Sequence, residues 1–99
     1  MTETYTNGIW RVKDGREDEF VAAWTEFVSW AKEQPGSQTF RLVRDVEDPS
    51  RFMSFAAWDS FEAQRAWKET DEFEVRMRRV REHVRAFEPS TFELVTEVG

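Results

Sequence analysis

His83, Arg76, Trp58, Trp67 and Asn7 are the side chains of this sequence whose types and placing offer a chemistry. His83 is the sole histidine, and imidazole is the side chain that exchanges protons near neutral pH, so it is the candidate to take a phenolic proton from a substrate. On a helical wheel it stands beside Arg76 and Arg79, and Arg76, an always-charged planar fork, is suited to hold the resulting oxyanion. Trp58 and Trp67 could wall a flat aromatic molecule and donate indole N–H bonds to its oxygens. Asn7 could orient a carbonyl with its amide. Trp24, Phe27, Phe40, Phe55 and Met77 are the large apolar candidates to line the same pocket. Each has a plainer reading beside it: tryptophans as core, His83 as a partly solvated boundary group, Asn7 as a locally bonded strand residue.

Composition removes several function classes. The net charge of −6 argues against nucleic acid, which needs clustered positive charge. The run Arg76, Arg78, Arg79, Arg81 and Arg85 is interleaved with Glu72, Glu74, Glu82 and Glu88, the pattern of a solvated helix face with spaced ion pairs. With no cysteine and one histidine, no metal constellation is expected. No segment approaches the ~20 apolar residues of a membrane span, and no basic-then-apolar leader opens the chain, so a cytoplasmic protein is expected. Ninety-nine residues fit one domain, 1–99, whose core hides about 65% of the unfolded surface. Association with a second copy would help such a core.

The elements that must position these side chains follow from periodicity. Thr4 to Val12 alternates, with Thr6, Gly8, Trp10 and Val12 on one face and Tyr5, Asn7, Ile9 and Arg11 on the other. A helix follows, from the acidic run Glu17-Asp18-Glu19 to about Gln34, with Phe20, Trp24, Phe27 and Ala31 on its stripe and Pro35-Gly36 as its stop. Strands over Gln38–Val46 and Arg51–Trp58 form a hairpin about Asp48-Pro49-Ser50. Two helical segments are then expected, Ser60–Thr70 and Asp71–Ala86, from Asp59/Glu62 and Asp71/Glu74 at capping-box spacing. The second would pack Phe73, Met77, Val80, Val84 and Phe87 and end at Pro89, leaving Thr91–Val98 as the last strand.

That order, with right-handed crossovers, predicts an α+β, ferredoxin-like βαββαβ fold: a four-stranded antiparallel sheet with its helices on one face. The Arg51–Trp58 strand is apolar on both faces, so the helix-free side predicts a homodimer closed through the sheet face.

The segments GIWRVKDGREDEFVAAW, RLVRDVEDPSRFMSFAAWDSFEAQRAW and TDEF resemble the antibiotic biosynthesis monooxygenase superfamily, the dimeric α+β barrels. The resemblance covers nearly the whole chain and implies the fold, the dimer and a small aromatic or hydrophobic ligand. Its quinone-forming branch oxidises anthrone-like aromatics with O₂ and neither metal nor flavin. Trp58 is similar to that branch's tryptophan; its asparagine, helix tyrosine and arginine fall at Ser54, at Gln64 and near Arg78. A haem-degrading branch is similar at Asn7 and Trp67, with Met77 where its axial histidine stands. The function expected is a cofactor-independent monooxygenase acting on a polyphenol or anthrone. The alternatives are a non-catalytic hydrophobic-ligand or accessory protein, and a haem-binding enzyme.

Overall fold

In the computed structural model, which describes residues 3–99, strand alternation and helix stripes meet as one sheet and one helical layer. Four strands, β1 (Thr4–Val12), β2 (Ser37–Arg44), β3 (Arg51–Trp58) and β4 (Val84–Glu93), lie in the order β2-β3-β1-β4, every neighbour antiparallel. The helices are α1 (Glu17–Ala31), α2 (Phe61–Lys68) and α3 (Asp71–Arg81). This is the ferredoxin-like arrangement, with its second helix broken in two.

Register puts the large side chains on one face. Trp10 stands opposite Phe52 and Phe87, Gly8 opposite Ser54 and Pro89, and Ala56 opposite Phe40. Against that face α1 lays Phe20, Trp24, Phe27 and Ala31, with Trp67 of α2 and Val80 of α3 completing the buried core. Burial of so many large rings is the main stabilising contribution in a chain this small.

The hairpin between β2 and β3 is held by two aspartates. Asp45 Oδ1 accepts from the Glu47 and Asp48 amides at 2.8 and 3.2 Å. Asp48 Oδ1 accepts from the Ser50 amide and hydroxyl at 3.1 and 2.9 Å.

The third helix starts at Asp71 as expected and the second one residue later than expected, at Phe61, but both capping residues differ. Ser60 and Thr70, not Asp59 and Asp71, are the N-caps, their hydroxyls accepting from the Ala63 and Phe73 amides, each at 3.1 Å. The break between α2 and α3 therefore falls at Glu69-Thr70, where Thr70 closes one helix through Trp67 O and opens the next.

The tail departs more. The helix expected to reach Ala86 ends at Arg81, and the last strand is Val84–Glu93 rather than Thr91–Val98. Val84 and Phe87 continue the helical spacing of Phe73, Met77 and Val80, yet both belong to β4. Three apart, they would point to opposite faces of a regular strand. Arg11 pairs with Ala86 and Val12 with Val84, so a bulge absorbs Arg85 and returns both apolar side chains to the core. Pro89, expected to stop a helix, sits inside β4, which is an edge strand and tolerates a residue without an N–H.

The other sheet face carries no helix. Val43, Met53 and Phe92 are exposed there, at 43, 36 and 54% of their surface, beside the half-buried Tyr5, Ile9 and Phe55.

Candidate active site

Between the core face of the sheet and the three helices lies a cavity of about 390 Å³. That is within the range of about 300–1,000 Å³ usual for small-molecule sites. Its floor is Gly8, Trp10 and Ser54, and its walls are Trp24, Phe27, Phe40, Trp67 and Phe73. Lys68, Phe73, Met77 and Arg81 border both this cavity and a neighbouring groove of about 450 Å³ that adds Glu74 and Arg78, so these four stand at its mouth.

Gly8 makes the floor possible. A β-carbon there would lie 2.7 Å from Phe87 Cε1, 3.0 Å from Ser54 Oγ and 3.1 Å from Trp10 Nε1. Without one, Trp10 stacks on Phe87 with centroids 3.9 Å apart, and its Nε1 donates to Ser54 Oγ at 2.9 Å. The serine oxygen is thereby held facing the aromatic chamber.

The walls form one continuous cluster. Trp67 stacks on Trp58 at 4.8 Å and takes Phe73 edge-on at 4.8 Å, with Phe27 and Phe40 at 5.8 and 6.2 Å. Neither Trp58 Nε1 nor Trp67 Nε1 has a hydrogen-bond partner among the described residues. A buried donor left unmade costs about 1–3 kcal/mol. Trp67 borders the cavity; Trp58 is wholly buried behind it.

Two cations complete the mouth. Lys68 ends α2 half-buried, and burial lowers its pKa below the usual lysine value. Arg81 ends α3 with its guanidinium carbon 5.9 Å from the Phe87 ring centre. Among the described residues neither forms an ion pair.

The expected site residues divide into groups. Trp24, Phe27, Phe40, Trp67 and Met77 line the cavity. Asn7 and Phe55 also border it, but they face each other on the strand positions that alternate away from Trp10 and Ser54. Their main chain forms the wall, and their side chains stand on the helix-free face. Trp58, His83 and Arg76 do not line it.

His83 Nδ1 bonds Arg16 Nη2 at 2.8 Å, with Glu19 Oε2 3.9 Å away, at the end of α3 where its carbonyl accepts the Lys13 amide. It is therefore not placed to take a proton from a molecule in the cavity. Arg76 pairs with Glu72 at 3.5 Å and lies over Trp30 at 5.2 Å, in the seam between α1 and α3. The wheel expectation failed because Val80 alone of that stretch is buried, and the helix stops before His83 reaches the cavity side.

Reasoning from the sequence missed Trp10, Gly8, Lys68 and Arg81. A signal existed for each cation: Lys68 follows the buried Gln64 by four residues and Arg81 follows Met77 by four, one helical turn on the same side. Gln64, at the position of the quinone-forming branch's tyrosine, is buried and donates to Thr91 Oγ1 at 3.0 Å.

The donor set does not fit a haem. Among the described residues no imidazole borders the cavity, Met77 offers its only sulfur, and the Asn7 amide is on the far face. Among the described residues no group of three His, Cys, Asp or Glu could hold a metal ion, and no helix is long and apolar enough to cross a membrane.

An antiparallel α+β sheet with an aromatic chamber under its helices defines the class as a small ferredoxin-like α+β domain with an internal cavity. The model of the antibiotic biosynthesis monooxygenase family matches residues 6–79, and the chain belongs to that family. Among solved structures, SnoaB of Streptomyces nogalater, described as a cofactor-independent oxygenase, is similar with a TM-score of 0.90. The identity is 18%, covering 99% of this chain and 98% of that one. Its N63A variant gives 0.90 at 19% identity, covering 97% and 96%. A conserved protein from Methanosarcina mazei Go1 gives 0.83 at 14% identity, covering 93% and 92%. At these identities the likeness establishes the fold. No curated protein sequence matches the chain.

Proposed function

We propose that this chain is a single-domain, homodimeric oxygenase that oxidises an electron-rich phenol or anthrone with O₂ and needs no bound cofactor. The observation that carries the reading is the cavity wall: stacked aromatic rings around a roomy chamber, with the Ser54 hydroxyl held on its floor by Trp10 Nε1. A flat polycyclic ring fills such a space by stacking. Its carbonyl would accept from the Ser54 hydroxyl.

The chemistry then needs little from the protein. Loss of a proton from the anthrone methylene leaves a delocalised carbanion, whose charge rests largely on oxygen. One electron passes to O₂, the two radicals combine as a peroxide anion that takes a proton back from water, and the hydroperoxide so formed loses water to leave the quinone. The substrate CH₂ becomes C=O while O₂ supplies that oxygen and one water, so electrons balance without a further reductant. The proton goes to water at the mouth, since His83 lies elsewhere. The Ser54 hydroxyl is the fixed dipole near the anion, and the aromatic walls shield that contact from bulk water so that it counts for more.

The dimer would cover the helix-free face, where Val43, Met53 and Phe92 otherwise meet solvent.

A second reading has its own observation. Among the described residues the only titratable side chains bordering the cavity are Lys68 and Arg81, both cationic, with no carboxylate or imidazole base beside them. That suits a protein which binds an aromatic ligand without turning it over. Incubation with anthrone in air separates the two. Quinone appearing faster than in buffer supports the oxygenase; an unchanged rate with anthrone bound leaves the binding protein.

A further inference from the structure

Resting on the reading of the cavity as an aromatic-substrate site, we propose that Lys68 and Arg81 make an anion subsite at its mouth, so that the preferred substrate is an aromatic ring system bearing a carboxylate tail. Three observations converge on it. Both cations border the chamber and the adjoining groove, so a molecule stacked inside must extend past them to reach solvent. Neither has an acidic partner among the described residues, although the chain carries twenty Asp and Glu against fourteen Lys and Arg.

Elsewhere on these helices cations are paired: Arg65 with Glu69, Arg76 with Glu72, and Arg78 with Glu74. The two left single are the two at the mouth. Arg81 leans over Phe87, itself stacked on the floor residue Trp10. Lys68 sits half-buried one residue after Trp67.

Burial lowers the lysine pKa, the sign of an ammonium short of solvent and counter-charge. A bound carboxylate would supply both the counter-charge and the acceptor. A guanidinium beside an ammonium recognises carboxylate by one forked and one point contact.

The test compares two unreactive product-like probes, anthraquinone carboxylate and its neutral methyl ester, by quenching of tryptophan fluorescence. The carboxylate is expected to bind about tenfold more tightly, the discrimination of one charge-assisted contact. That preference should shrink at high salt and vanish in K68M/R81Q, read as the ratio of acid to ester affinity within each protein. K13Q, a charge change in the distant β1–α1 turn, should keep it.

Equal affinity for acid and ester overturns the anion subsite while leaving the aromatic cavity standing. Binding of neither probe overturns both. Should K68M/R81Q prove unfolded by circular dichroism, the single variants K68Q and R81K carry the same comparison. A preference undiminished in both folded single variants would also overturn the subsite.

Discussion

Trp58 and Trp67 stack with ring centroids 4.8 Å apart and planes 29° from parallel, and neither indole N–H finds a partner among the described residues. One comes from the end of β3 and the other from α2, so their contact ties the sheet to the helix that closes the cavity. Trp58 is wholly buried, while Trp67 faces the chamber. Two tryptophans in one stack therefore have separable roles.

Trp58→Ala should lower folding stability by about 3–5 kcal/mol, because it empties a fully packed site. Trp67→Phe keeps a ring in the stack and removes an unmade donor, so its stability should change far less, while quinone affinity falls about threefold with the smaller stacking surface. Urea unfolding and fluorescence titration give the two numbers. Equal losses of stability would contradict the division.

Gly8→Ala should destabilise by about 1–3 kcal/mol through overpacking. The new methyl meets the Phe87 ring at 2.7 Å and crowds the Trp10 to Ser54 hydrogen bond. Phe87 can move only by giving up its stack on Trp10, so ligand affinity should drop together with stability. A crystal structure of the variant with both rings unmoved would refute the account.

His83→Gln should leave anthrone turnover within about twofold of wild type, since proton-transfer catalysis would make a difference of about 10²–10⁴. Ser54→Ala should lower it, because that oxygen is positioned on the cavity floor by Trp10. A collapse in rate for the histidine variant, with the fold intact by circular dichroism, would return His83 to the mechanism.

Met53→Glu should convert a dimer to monomers. Met53 stands on the exposed apolar side of the sheet, and a carboxylate there would be desolvated in any face-to-face pair. Sedimentation at micromolar concentration reads the result directly. Wild-type protein that sediments as a monomer would refute the pairing.

Acid should loosen the β2–β3 hairpin. The Glu47 amide first, then the Arg51 side chain and Asp48 amide, hold the Asp45 carboxyl below its usual pKa; the Ser50 hydroxyl and amide, then Arg11, do so for Asp48. A folded pKa below the unfolded one gives stability that is full above about pH 4 and is lost as pH falls through the folded value. Asp45→Asn removes that titration. The stability difference between about pH 7 and about pH 3, from urea unfolding, should be smaller in the variant than in wild type.

Particular residues show where sequence sufficed. The alternation of Trp10 with Val12 and the stripe of Phe20, Trp24, Phe27 and Ala31 announce the sheet and α1 because burial has the period of the backbone that carries it. Capping spacing located the break before α3 to within one residue. Hydroxyls at Ser60 and Thr70 took the caps from the neighbouring carboxylates, a choice set by local backbone geometry rather than residue class.

Three things the sequence left open were decided by tertiary contact. Val84 and Phe87 obey a helical period, yet pairing with Val12 and Trp10 draws them into β4, and a bulge at Arg85 reconciles their spacing with one face. The side Asn7 occupies follows from its register against Phe55, and that is a property of two strands. The mouth is built by Lys68 and Arg81 from different helices, brought together only when α2 and α3 fold over the sheet. Periodicity is local and can be read along a chain. Which side chains share a cavity depends on contacts between distant segments, and those exist only in the folded molecule.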